Sequence, residues 1–127
     1  MAQPNRVSAK PTLLLVEDDP GVRRSLQLIL QGSGFEVRSY GTVAASVADP
    51  NLAQADGMIA DYRLPDGDGL SLLRALYAAG FRGQAILITA FGTPQLEEQA
   101  RAAGYARVLE KPLAERMLRE TVTRLLA

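Results

Sequence analysis

The sequence predicts an α/β domain in which a parallel sheet is covered by helices on both faces. Two observations carry this expectation. Strand-length apolar runs alternate five times with helix-length segments, and that spacing requires right-handed crossovers between parallel strands. The clearest runs are continuous rather than alternating, as in strands buried from both sides. At 127 residues the chain is the size of one domain able to bury a real core.

The elements follow in order. Residues 1–11, "MAQPNRVSAKP", read as a flexible leader, with one domain expected over 12–127. "TLLLV" (Thr12 to Val16) is the first strand. "EDDPG" supplies turn chemistry, after which Val22, Leu26, Ile29 and Leu30 recur at helical spacing. Arg23, Arg24, Gln27 and Gln31 fall on the opposite side, and "GSG" ends the helix. "FEVRSY" is an alternating second strand, "TVAASVA" a short helix of mostly small residues, and "GMIAD" the third strand. Leu70, Leu73, Leu76 and Tyr77 stripe a helix that stops at Gly80, and "QAILIT" is the fourth strand. Leu96, Ala100 and Ala103 form a thin apolar stripe, the least firmly held helix. "ARVL" is the fifth strand, and Leu118, Val122 and Leu125 mark a closing helix after "KP".

Composition removes several chemistries. There is no cysteine and no histidine, so disulfides, thiolate nucleophiles, Cys- or His-ligated metals and Ser-His pairs are excluded. Lys plus Arg and Asp plus Glu are both 14, and a zero net charge gives no general attraction to nucleic acid or membrane. No apolar stretch reads as a signal peptide or membrane span, so a cytoplasmic protein is expected.

Ligands of open parallel sheets sit beyond the carboxyl ends of the strands. At that edge the first strand carries Glu17-Asp18-Asp19, the third Asp61, the fourth Thr89, and the fifth Glu110-Lys111-Pro112. Each has an ordinary reading. Asp18 or Asp19 can cap a helix that opens at Pro20, Thr89 is a normal strand residue, and "PDGDG" is turn chemistry. Together they form a cluster. Two like charges ~4 Å apart repel by ~1 kcal/mol in water and ~4 kcal/mol at an effective dielectric of ~20. Glu17, Asp18 and Asp61 therefore call for a cation, and an all-oxygen donor set favours magnesium, which also accepts phosphate oxygens. With a lysine and a hydroxyl on the same rim, a carboxylate is a plausible nucleophile toward phosphorus.

"LLLVEDDPGVRRSL", "MIADYRLPDGDGL", "ILITA" and "LEKPL" resemble the four signatures of the response-regulator receiver domain of two-component signalling, in order and spacing from Thr12 to Ala127. The resemblance implies a doubly wound, flavodoxin-like (βα)5 fold with strand order 2-1-3-4-5. It implies that Asp61 accepts a phosphoryl group from a sensor histidine kinase or histidine phosphotransfer protein, in a magnesium-dependent reaction that the domain itself assists. Asp18 would bind the metal directly, Glu17 directly or through water, and Arg63 through its backbone carbonyl. Thr89 would hydrogen-bond a phosphoryl oxygen, Lys111 would pair with the phosphoryl group, and the Lys111-Pro112 peptide would be cis. The missing histidine fits, because the donor imidazole belongs to the partner. No helix-turn-helix or basic module follows the fifth helix, so output is expected through a downstream protein or an output domain outside this sequence. Val108 stands three residues before Lys111, where the family often carries Tyr or Phe. A valine has no ring to bury or expose, and Tyr105 in the preceding loop is the candidate substitute.

Three other functions are disfavoured by particular residues. A phosphatase of the haloacid-dehalogenase type would need a proton-donating aspartate two residues after Asp61, where Arg63 stands. A flavodoxin-like nucleotide binder would need an anion-receptive loop where "EDDP" lies. Against a pseudo-receiver stand the intact Asp61, Thr89 and Lys111.

Overall fold

Leu13 to Val16 are all buried, because β1 (Thr12–Val16) is the central strand of the sheet's first half, paired on both edges. The computed structural model describes residues 10–126. The expected leader thus lies outside the described residues except for Lys10 and Pro11, and the Pro11 carbonyl accepts from Glu36 N at 2.9 Å.

The chain continues through α1 (Pro20–Gly32), β2 (Glu36–Tyr40), α2 (Val43–Val47), a 3-10 turn (Leu52–Gln54) and β3 (Gly57–Asp61). It then forms α3 (Gly69–Ala78), β4 (Gln84–Thr89), α4 (Pro94–Ala103), β5 (Arg107–Glu110) and α5 (Glu115–Leu126). All four pairings of the five-stranded sheet are parallel, and the order is 2-1-3-4-5 in these labels. The fold is the doubly wound α/β fold that the sequence predicts.

Period-two alternation divides the core between the two faces. Leu14, Val16, Met58, Ala60 and Leu87 point to the side covered by α3 and α4, where Leu72, Leu73, Leu76, Leu96 and Ala100 meet them. Leu13, Leu15, Ile59, Ile86 and Ile88 point to the other side, against Leu26 and Leu30 of α1 and Leu118 and Val122 of α5. On α3 the fully buried positions include Leu72, whereas Leu70, expected in the stripe, is only half-buried.

Local chemistry sets the helix starts. The Asp19 carboxylate accepts from Gly21 N and Val22 N at 2.9 and 3.0 Å, with Pro20 in the first turn of α1. Asp68 and Ser71 make a reciprocal box at α3, and Thr93 caps α4 through Leu96 N.

A short hairpin that the sequence reading did not anticipate, Arg63–Leu64 with Gly67–Asp68, lies between β3 and α3. Asp66 at its turn accepts from Val43 N and Ala44 N at 2.8 and 3.0 Å, tying this loop to the start of α2. The Lys111-Pro112 peptide is cis, as expected.

Candidate functional site

The sheet register brings the singled-out residues to one edge. Val16 lies opposite Ala60, Asp61 opposite Ile88, and Thr89 opposite Glu110. Glu17, Asp61, Thr89 and Lys111 therefore each stand at, or one residue past, the end of a ladder. Two further hydrogen bonds extend the alignment beyond the strands, Glu17 N to Tyr40 O and Lys111 N to Thr89 O, both 2.9 Å.

Carboxylate oxygens of Glu17, Asp18 and Asp61 all lie within 4.8 Å of one another. Their environments differ. Glu17 is 1% exposed, Asp61 keeps 12% of its side chain in solvent, and Asp18 is exposed. Glu17 Oε2 accepts from Asp19 N at 3.1 Å. Its Oε1 accepts from Lys111 Nζ at 3.2 Å, and the same ammonium reaches Asp61 Oδ2 at 3.0 Å. Lys111 thus bridges the two less exposed carboxylates and offsets the repulsion that their proximity creates.

The titration of these groups follows from that geometry. Burial pushes the Glu17 carboxyl above its ordinary range; the Asp19 N–H opposes this, and the Asp61 charge adds to it. For Lys111, burial disfavours the charged form, but hydrogen bonds to Asp61 and Glu17 outweigh it and hold the ammonium above its usual value.

Thr89 is buried beside this group. Its Oγ1 accepts from Phe91 N at 3.2 Å and donates to Phe91 O at 3.4 Å, which curls the β4–α4 loop around the hydroxyl. Asp61, Arg63, Thr89, Phe91 and Lys111 all line a pocket of about 120 Å3, and Phe91 among them is largely exposed, at 77%. The Arg63 residue is exposed, while its backbone is fixed by pairing with Asp68 in the hairpin. The structure therefore brings Glu17, Asp18, Asp61, Thr89 and Lys111 to one rim, while Asp19 caps α1 and Glu110 accepts from Gly92 N at 3.1 Å.

Sequence reasoning missed Arg23. Helical spacing puts it on the polar side of α1, yet its guanidinium turns back and donates from Nη1 to the Glu17 carbonyl at 2.7 Å. Nothing in a helical pattern distinguishes it from its solvated neighbour Arg24. Tyr105 is buried at 3% exposure and donates to the Gly69 carbonyl at 2.7 Å, while Val108 is half-buried.

A sequence profile of the response regulator receiver domain matches residues 13–123. The chain belongs to the response-regulator receiver-domain family. Such domains are two-component signalling switches whose general function is phosphorylation on an aspartate, and the family typically binds magnesium. Receiver domains interact with histidine kinases and with output domains.

This receiver domain is 31% identical over 118 residues to the C4-dicarboxylate transport transcriptional regulatory protein DctD of Rhizobium meliloti, covering 93% of this chain and 26% of that protein. It is 36% identical over 99 residues to the transcriptional regulatory protein FixJ of Azorhizobium caulinodans, covering 77% and 46%. The chain thus spans about a quarter to a half of the length of these relatives. Among solved structures, the non-phosphorylated HemR receiver domain of Leptospira biflexa superposes with a TM-score of 0.82 at 28% identity, covering 93% of this chain and 95% of that one. The chemotaxis protein CheY4 of Vibrio cholerae shares the fold, with a TM-score of 0.85 at 24% identity, covering 93% and 100%. Among the described residues no helix is long and apolar enough to cross a membrane.

Proposed function

We propose that Asp61 is the phosphoacceptor of this receiver domain and that Glu17, Asp18, Asp61 and the Arg63 backbone carbonyl hold a magnesium ion beside it. The observation that carries the reading is the convergence of three carboxylates from two strand ends within 4.8 Å, bridged by the Lys111 ammonium. The donor set fits a hard divalent cation, since every available ligand is oxygen and the chain has neither His nor Cys. Bound magnesium supplies charge neutralisation for the acids and for the incoming phosphoryl oxygens.

The chain's own residues do the rest by position. Asp61 presents its carboxylate at the rim of a rigid sheet, in a pocket large enough to admit a small group. Its attack on phosphorus forms the new O–P bond while the donor imidazole leaves with the electrons of the broken N–P bond. A carboxylate oxygen is itself a competent nucleophile toward phosphorus, so one O–P bond forms and one N–P bond breaks without a separate general base. Lys111 contributes a fixed positive charge in contact with Asp61, which favours the developing phosphoryl charge and any opposing loss of the group to water. Thr89 also lines the pocket, and redirecting its hydroxyl from Phe91 to a phosphoryl oxygen would release the β4–α4 loop. That release is the conformational signal.

The phosphodonor is a phosphohistidine of a sensor kinase or a phosphotransfer protein. The output is a downstream protein or an output domain, consistent with the greater length of the regulators it resembles. Asp61→Asn is expected to abolish the acid- and hydroxylamine-sensitive label formed with a small phosphodonor and magnesium. Undiminished label in that variant would move the acceptor elsewhere.

A further inference from the structure

The sheet supports the chain only as far as Glu17, whose N–H makes the last ladder contact with Tyr40. Past that point the orientation of two peptide planes decides where the Glu17 and Asp18 carboxylates point. Among the described residues, neither the Glu17 nor the Asp18 carbonyl accepts a backbone N–H. Both are instead taken by one side chain from α1: Arg23 Nη1 donates to Glu17 O at 2.7 Å and reaches Asp18 O at 3.4 Å. Arg23 is half-buried, and its guanidinium lies against Gly41, where a Cβ would stand 3.1 Å from Nη1. A bare glycine thus leaves the space that the arginine occupies. A guanidinium suits the task because its donors are fixed in one plane, whereas an ammonium is a single mobile point.

We propose that Arg23 is a positioning residue for the metal site: by holding the consecutive carbonyls of Glu17 and Asp18, it aims both carboxylates at Asp61. The inference rests on the reading of this rim as a magnesium site and adds the residue that preorganises it. The Arg23 hydrogen bonds go to the backbone carbonyls of Glu17 and Asp18, not to their carboxylates. Its removal leaves the ligands in place but frees the loop that carries them, so affinity falls while the chemistry of the assembled site persists. Losing an outer contact of this kind costs about 10–100-fold in metal affinity.

The test is magnesium titration of the whole chain by calorimetry, without phosphodonor, for the wild type and for Asp18→Ala, Arg23→Gln and Arg23→Lys. Arg23→Gln is expected to bind about ten-fold more weakly, with Arg23→Lys between it and the wild type. With a small phosphodonor, Arg23→Gln is expected to need correspondingly more magnesium for half-maximal phosphorylation and to reach a near wild-type rate at saturation. A purely structural role would lower thermal stability without this selective shift. Should Arg23→Gln not fold, Arg23→Lys must still bind more weakly than wild type, and equal affinity there overturns the inference. A wild type that binds no magnesium overturns the metal reading and this inference together. Binding that is lost in Asp18→Ala but unchanged in Arg23→Gln overturns this inference alone.

Discussion

Asp18 and Asp49 show how an acid's surroundings decide what its removal does. The Asp18 side chain is exposed and, among the described residues, makes no hydrogen bond, while it shares a 4.8 Å cluster with two other carboxylates. Asp18→Ala is therefore expected to abolish magnesium binding in titration and to leave the melting temperature of the metal-free protein unchanged or slightly raised, since it relieves repulsion. Asp49 is the opposite case. Its side chain is fully buried, and it accepts from Arg38 Nε at 2.8 Å, from the Tyr40 hydroxyl and from Asn51 N at 2.7 Å. Burial alone would raise its carboxyl, but these three donors outweigh it and hold it below the ordinary value of 3.8. A depressed folded value means the unfolded chain binds the proton more tightly. The stabilisation is thus complete above the unfolded value and is lost as pH falls through the folded one. Asp49→Ala is expected to cost about 3 kcal/mol in denaturant unfolding at neutral pH, with a flatter acid limb. An unchanged midpoint would contradict this role.

The β3–α3 hairpin and the α4–β5 corner are where local pattern was least informative. The sequence marks "PDGDG" as turn chemistry, yet a two-residue pairing is too short to leave a periodic signal. The tether from Asp66 to Val43 N and Ala44 N spans more than twenty residues, which no local pattern reports. Asp66→Ala is expected to speed amide hydrogen exchange at Val43 and Ala44 while β1 amides stay protected; unchanged exchange at both would show that the hairpin is held by other contacts. At the corner, Gly104 has φ 120°, and a Cβ there would meet Tyr77 Oη at 2.2 Å, so the backbone is committed to delivering Tyr105 inward. The Tyr105 hydroxyl donates to the Gly69 carbonyl at the start of α3, linking the loop before β5 to the first turn of α3. Tyr105→Phe is expected to lower stability by about 1 kcal/mol in chemical denaturation, and no change would mean that the bond contributes nothing net. Val108, by contrast, was correctly legible as lacking a ring.

Across the molecule, the readable part is what periodicity encodes. Continuous apolar runs gave β1 and β4, helical stripes gave α1, α3 and α5, and both apolar faces of the sheet follow from alternation along single strands. Strand order did not follow from pattern; it came with the four motifs and agrees with the observed pairing. Boundaries moved by a residue: β2 begins at Glu36 rather than Phe35, and β5 runs Arg107–Glu110 rather than 106–109. The convergence of Glu17, Asp18, Asp61 and Lys111 was legible because they are ionisable groups placed at strand ends, a position that topology alone makes convergent. Its support was not, because Arg23 and Asp66 act through backbone atoms whose identity carries no sequence signal. The same topology makes the rim depend on the core, since β1, β3, β4 and β5 hold the site only while they stay in register. Intact-mass spectrometry of the whole chain after incubation with acetyl phosphate, with and without magnesium, addresses the chemistry most directly. A single phosphoryl adduct that forms only with magnesium and maps to the peptide bearing Asp61 is the predicted result; an adduct that forms equally without the metal, or maps to another residue, would contradict it.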